Sequence, residues 1–377
     1  MKILTNIQFA KVAGIAQTLS SFVKFVDGRK KSEVQIVGVD VNASNSKSDQ
    51  YKVTEGNFSL RQIALPMPSM SDIIKTSDSI HEFKESYEVV IEAYAQAIRE
   101  EKPDMVLLNG TYYLPWCLFM AAERLNIPTV LHYHGILSKE TEHWDEKPRK
   151  LFQDLERCFD SKKLFYIFPS DLTKQIVENE VFGHKVKKSS VLPNPIPLHF
   201  FDSKGKKNKK TLGMVGRWTR IKNPLFFKSL AKYNQKKGSK FNINIVSDIK
   251  RGSKDWQDLS GLVNFKRPVD NSKLTKLYQD MSVVLCPSYF ETYGNVAQEA
   301  IATGVPALVS SNMGVAETFR KVGLHDWVVD FDSMKDIYKK IEQVSKEDVP
   351  ESSRNMMKEM YSPDVLHGEM LNILQSL

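Results

Sequence analysis

Cysteine is scarce in this chain, with Cys117, Cys158 and Cys286 the three examples in 377 residues. They are odd in number, scattered and set in apolar surroundings, which excludes a disulfide framework or a cysteine metal site and predicts reduced core thiols. Long hydrophobic runs are missing too. Nothing approaches the roughly eighteen consecutive apolar residues that a membrane span needs. The opening Met1–Gly14 is interrupted by Asn6, Gln8 and Lys11, so it lacks the apolar region of a signal peptide and the expected location is cytoplasmic. A strong charge of one sign is absent from the first half: residues 1–195 hold 25 basic and 25 acidic side chains, leaving 28 and 20 to the rest and a net charge of +8. Five of those lysines crowd into 204–210. A run of that kind reads as a solvated linker, and nucleic acid is not expected as a partner because binding it calls for a basic patch. A weak peripheral contact with the anionic inner face of a membrane is its sharper reading, since lysines without an apolar anchor bind weakly.

What the chain does have is a repeated alternation of short apolar runs and helical patterns. Met1–Asn6, Glu33–Val41, Met105–Asn109, Thr129–His134, Leu164–Ser170 and a run ending at Leu192 read as strands, with helices between most of them. Ser77–Glu101 reads as one long helix, and the polar stretch Asn42–Gln62 as an exposed loop carrying at most a hairpin. Pro193, Pro195 and Pro197 cannot continue a helix or a central strand and predict a stiff connection. Alternation resumes at Thr211–Gly216, Phe241–Val246, Leu262–Phe265, Val283–Cys286 and Val305–Ser310. Such alternation implies parallel sheets in two α/β domains. The expected division is a first domain over 1–198, a linker over 199–210, a second domain over 211–360 and a terminal helix over 361–377 that returns to the first.

The most informative stretch is Ser282–Gly304, SVVLCPSYFETYGNVAQEAIATG. It predicts a buried strand, a loop and a helix, with Gly294 at the turn. There the amides of Gly294, Asn295 and Val296 would be the free donors of a helix N-terminus, suited to an anion. Glu291 and Glu299 bracket the turn. Two carboxylates beside an anion site suggest hydroxyl partners, hence a ribose or sugar attached to a phosphate. Earlier in the chain Gly14 follows the first strand, where a glycine lets the backbone meet a phosphate or sugar. His132 and His134 fall on one face at the end of a strand, where ligands of open α/β sheets bind; without a third ligand nearby they do not suggest zinc. His132 reads alternatively as a satisfied buried histidine. Arg217 and Lys222 follow the strand Thr211–Gly216, one a planar fork and the other a mobile point charge for phosphate oxygens.

On Glu291, Gly294, Glu299 and the tail Ala300-x-x-x-Gly304-x-Pro306, the chain resembles the retaining glycosyltransferases of family 4. That resemblance implies the GT-B fold, two facing Rossmann-like domains with parallel sheets and a cleft between them, the first for acceptor and the second for nucleotide-sugar. It implies transfer of a sugar from a nucleotide-diphosphate sugar, a UDP-sugar by expectation, to a saccharide or glycolipid hydroxyl with retention, in polysaccharide, lipopolysaccharide or glycoconjugate synthesis. Residue by residue, it places His134 and Glu291 at the donor sugar, Arg217 and Lys222 at the diphosphate, Glu299 at the ribose and Arg267 near the base. No cofactor beyond the donor substrate and no metal is implied, so Asp330 and Asp332 read as loop residues. Three departures stand out, at Ala13, Pro195 and Arg267, where the family usually carries glycine. A nucleotide-sugar epimerase or hydrolase of the same fold, or a non-catalytic subunit of a glycosyltransferase pair, are the alternative readings.

Overall fold

The computed structural model describes residues 1–7, 14–29, 33–53, 56–203, 205, 208 and 210–377. The chain divides into two compact units, 1–193 with 367–377, and 194–366.

The first unit is built on an eight-stranded sheet. Its strands are β1 (Lys2–Asn6), β2 (Gln35–Ala43), β3 (Ser48–Val53), β4 (Phe58–Leu65), β5 (Met105–Asn109), β6 (Thr129–His132), β7 (Leu164–Phe168) and β8 (Ser189–Val191). Their order is β3-β4-β2-β1-β5-β6-β7-β8. All neighbours pair in parallel except β3, which runs antiparallel to β4 as an edge. Strands buried on both faces carry continuous apolar runs, as in Met105-Val-Leu-Leu of β5, while the register pairs Leu4 with Val106 and Leu107 with Val130.

Two elements depart from the expected plan. Asn42–Gln62 is not mainly loop: it forms the end of β2, β3 and half of β4. The polar residues that suggested a loop lie on an edge hairpin, while β4 is buried on both faces, by Phe58 and Leu60 on one and by Arg61, Ile63 and Leu65 on the other. The segment read as one helix from Ser77 is broken into Ile80–Ser86 and Glu88–Glu101, with Ser79 accepting from the Glu82 amide as the first N-cap.

In the second unit, the strands β9 (Thr211–Val215), β10 (Asn242–Val246), β11 (Asn264–Lys266), β12 (Val283–Cys286), β13 (Ala307–Ser310) and β14 (Val328–Val329) form one parallel sheet in the order β11-β10-β9-β12-β13-β14. This is a doubly wound order, which reverses direction between β9 and β12. Loops leaving those two strands diverge to opposite faces and open a crevice at their carboxyl ends.

Residues 194–203 fall in the second unit, so the two units divide at 193/194 rather than at 198. Gln298 Nε2 donates to Asn194 O at 3.1 Å, and the Ile196 amide donates to Tyr361 O at 2.8 Å. Phe200 is fully buried, and Arg354 donates to Phe201 O, Ser203 O and Ala302 O at 2.6, 2.7 and 2.7 Å. In the Pro-rich segment the residues between the prolines make these bonds, Asn194 through its carbonyl and Ile196 through its amide. The lysine run, Lys210 apart, lies outside the described residues, as does Ala13. The terminal helix Pro363–Gln375 passes into the first unit at His367, whose Nε2 is 2.8 Å from Ser21 Oγ and whose ring packs against Phe22 and Phe25. No helix among the described residues is long and apolar enough to cross a membrane.

Because one guanidinium serves three partly buried carbonyls, Arg354→Ala should lower the unfolding free energy by about 2 kcal/mol, the scale of a charged hydrogen-bonding group lost with its partners stranded. Thermal or urea unfolding of the variant checks this; an unchanged midpoint would show that water replaces the guanidinium without cost.

Candidate active site

In the second unit the two loops at the reversal point carry the predicted residues. The loop after β9 turns through a short helix, Arg220–Lys222, and ends at Asn223, which is left-handed (φ 55°) and caps the helix Pro224–Lys236 by accepting from the Phe226 amide. Asparagine tolerates that conformation better than other side chains. The loop after β12 rises through Ser288 and Tyr289 to Glu291, and is tied to the first loop by a hydrogen bond from the Tyr289 amide to Ile221 O at 2.9 Å.

Lys222 Nζ lies 2.6 Å from Glu291 Oε2, and the other carboxylate oxygen of Glu291 accepts from Ser288 Oγ at 2.6 Å. The two side chains are 24% and 18% exposed, so their attraction is only partly screened. Glu291 is further fixed through its backbone, which bonds to Asn312 O and to the Gly314 amide. Three residues on, Gly294 precedes the helix Asn295–Ala302 with φ 120°. A Cβ there would meet Met313 Cε at 2.7 Å and Val315 Cγ1 at 3.0 Å, so both the conformation and the space require glycine. The first amides of that helix have no partner within it, an arrangement suited to an anion. Asn295 is held by Asn194, whose Nδ2 donates to Asn295 Oδ1 at 2.9 Å.

Glu299 stands one turn into the helix and is buried. Burial raises its pKa to about 7, against the pull of Tyr278, whose hydroxyl donates to Glu299 Oε2 at 2.7 Å. The thiol of Cys286 is pushed up by burial and then by Glu291 and Glu299, which places both carboxylates around the end of β12. Arg217 is exposed on the loop after β9, and Arg267 is exposed after β11. Asp330 and Asp332 are exposed; the Asp332 amide donates to Asp330 Oδ1 at 3.0 Å, a turn contact within the loop.

In the first unit the reversal lies between β1 and β5, and Asn6 and Asn109 join those strands: Asn6 Nδ2 donates to Asn109 O at 3.1 Å and the Asn109 amide donates to Asn6 Oδ1 at 2.8 Å. His134, just past β6, has Nε2 2.8 Å from Asn109 Oδ1. Burial lowers its pKa to about 4, so it is neutral at physiological pH and gives that proton to the amide oxygen. His132 is also buried, its ring centroid 4.0 Å from that of His134, but its Nε2 has no hydrogen-bond partner among the described residues, which corrects the reading of a satisfied histidine. Gly14 begins the helix Gly14–Asp27, and the residues between it and β1 lie outside the described set.

The structure thus brings Lys222, Glu291, Gly294, Asn295, Val296 and Glu299 to one crevice of the second unit, and His134 to the corresponding edge of the first. Sequence reasoning missed Tyr278, Ser288 and Asn109. Ser288 was findable as the hydroxyl three residues before Glu291; Tyr278 and Asn109 lie 21 and 25 residues from their partners and gave no local signal.

Residues 196–362 match the family model Glycosyl transferases group 1, and residues 83–200 the model Glycosyltransferase Family 4. An uncharacterized glycosyltransferase of Methanocaldococcus jannaschii is 42% identical over 60 residues, 16% of this chain and 15% of that protein. The UDP-Gal:alpha-D-GlcNAc-diphosphoundecaprenol alpha-1,3-galactosyltransferase of Escherichia coli is 28% identical over 222 residues, 52% of this chain and 54% of that protein. The chain therefore spans about half the length of the second relative and less of the first. Among solved structures, the sucrose-phosphate synthase of Thermosynechococcus elongatus superposes with a TM-score of 0.71 at 14% identity, over 100% of this chain and 98% of that one. The fold is GT-B.

The buried carboxylate makes a pH prediction. If Glu299 accepts from a donor's hydroxyls it must be ionised, so affinity for UDP-glucose, whose diphosphate takes up no proton near neutrality, should fall as pH drops through about 7. Tyr278→Phe removes a donor that favours the charged form and should move that midpoint upward. Calorimetric titration between pH 6 and 9 tests both; a flat profile in the wild type would remove Glu299 from the site.

Proposed function

From a chain that carries two glycosyltransferase domains, we propose a retaining enzyme that moves a sugar from a nucleotide-diphosphate donor, a UDP-sugar, to a hydroxyl of a saccharide or glycolipid acceptor. The observation that carries this reading is the Lys222–Glu291 pair, 2.6 Å long, beside the open helix end at Gly294 and one turn from a buried Glu299. Glu291 and Glu299 are read as the paired glutamates of retaining family 4 enzymes. The galactosyltransferase relative, whose name specifies UDP-Gal and a lipid diphosphate acceptor, supports the donor and acceptor classes. A weak contact of the lysine run with an anionic membrane fits such an acceptor.

Chemically, breaking the bond from C1 to oxygen leaves negative charge on the diphosphate. Lys222, the exposed Arg217 and the amides at Asn295 and Val296 stabilise that charge, and they do so more as it grows. Lys222 meets the incoming phosphate already paired, so Glu291 exchanges part of its ion pair for a sugar hydroxyl. Glu299 holds the ribose, Arg267 borders the base, and neutral His134 contacts the donor sugar without adding charge. No side chain is placed as a covalent nucleophile, and the leaving phosphate takes the acceptor's proton on the face it departs from. The developing charge falls on side chains and amides, so turnover is assigned no divalent ion.

Arg217→Ala and Lys222→Ala should each lower kcat by ~10² to 10³ with smaller changes in donor affinity, because removing one donor from a preorganised anion site costs about 2.7 to 4 kcal/mol in the transition state. Steady-state kinetics against a panel of UDP-sugars decides this, with near-normal kcat in either folded variant returning that residue to ordinary surface. The anomeric configuration of the product by proton NMR tests retention, and inversion would overturn it. Activity should also survive EDTA; a loss restored by magnesium or manganese would assign the reaction a metal.

A further inference from the structure

At the carboxyl ends of β5 and β6, the first unit exposes two aromatic rings that the donor chemistry leaves unused. Tyr112, three residues past β5, stacks on Phe152 of the helix Glu146–Arg157 with planes 1° apart and centroids 5.4 Å apart. Trp144, just before that helix, meets the same Phe152 edge-on at 89° and 5.4 Å. Phe152 is fully buried, so it fixes both rings, yet Tyr112 remains 41% and Trp144 37% exposed. Leaving large apolar rings wet forgoes burial energy. In this unit the one other aromatic residue as exposed among those described is Tyr51, on the edge strand β3.

A carboxylate shares this place. Glu140 ends the short helix Leu137–Glu140 and is exposed. Its carboxylate lies beside Gly135, where an added side chain would make the end of the glutamate shift, and its charge helps to raise the pKa of the Tyr112 hydroxyl, after burial and Tyr113. Thr111 Oγ1 donates to Gly135 O at 2.9 Å, tying the loop of Tyr112 to the loop of His134. Two rings, a carboxylate and His134 therefore occupy one edge of the sheet, where ligands of open α/β sheets bind.

We propose that Tyr112, Trp144 and Glu140 form a pyranose-binding subsite, in which the sugar ring of the acceptor lies against the aromatic side chains and gives a hydroxyl hydrogen bond to Glu140. The inference rests on the transferase reading for what the bound sugar is used for, but not for its binding. A pyranose presents a face of C–H groups that favours an aromatic surface over water, and a rim of hydroxyls that donate to a carboxylate. A lipid chain would match the rings and reject the carboxylate, whose desolvation it could not repay.

The test is saturation-transfer NMR with the methyl pyranosides of glucose, galactose, mannose and N-acetylglucosamine, with and without UDP, on the whole chain. At least one should bind, and Trp144→Ala and Glu140→Gln should each weaken it about two- to tenfold, the range expected for one such contact. Trp144→Phe should retain most of the binding, and UDP affinity should not change in any of these variants. Circular dichroism and melting confirm folding; if Tyr112→Ala fails to fold, Tyr112→Leu replaces it. The subsite is overturned if no pyranoside binds, or if the wild type, Trp144→Ala and Glu140→Gln bind alike. Loss of UDP binding by the wild type would sink the donor reading instead, and pyranoside binding without UDP would still decide this one.

Discussion

The second unit depends on a single ion pair across a reversal in strand order. Lys222 and Glu291 come from loops that leave β9 and β12 in opposite senses, and their pairing, with the Tyr289–Ile221 backbone bond beside it, joins the two loops. A partly buried pair is seldom worth much to stability, because each charge gives up water to form it. Its value here is position. An ammonium held at 2.6 Å by a carboxylate is aimed before any ligand arrives, and a diphosphate can share it without a search through rotamers. Gly294 belongs to the same constraint: with Met313 and Val315 against it, the turn has one geometry, and the helix amides keep a fixed direction.

Burial then distinguishes the two glutamates. Glu291 is held by Lys222 on one oxygen and by Ser288 on the other. Glu299 accepts from the Tyr278 hydroxyl and is buried, so its charged form is costly and it titrates near neutrality. The first unit follows the opposite course at His134, where burial strips the proton and leaves a neutral donor joined to the Asn109 amide. A neutral imidazole suits a site that must accept a sugar without repelling or attracting its phosphates.

Much of this was readable in the linear chain. The alternation of apolar runs with helical spacing fixes two α/β units, and PSYFETYGNVAQEAIATG announces a strand, a turn that needs glycine and a helix. Local rules failed where polarity and burial part company. The Ser- and Asn-rich stretch after β2 is a hairpin because β4 buries apolar residues on both of its faces, and the Pro-rich 193–197 is anchored because the Asn194 carbonyl accepts from Gln298 and the Ile196 amide donates to Tyr361 O. Composition reports average polarity, whereas strand pairing and anchoring depend on which face each residue presents.

What the sequence by itself determined is the set of chemical groups and their local geometry: Arg217 and Lys222 in one loop, Glu291, Gly294 and Glu299 at fixed offsets along another, His134 at the end of a strand. Those relations follow from residue type and from the periods of strand and helix, which are short-range. Only the tertiary structure decided that Lys222 meets Glu291 across 68 intervening positions, that Tyr278 reaches Glu299, that His134 hydrogen-bonds Asn109, and that Tyr112 and Trp144 share Phe152. Each of these joins residues on different elements around a sheet, and it is the order in which parallel strands are laid side by side, absent from any local window, that brings those elements together.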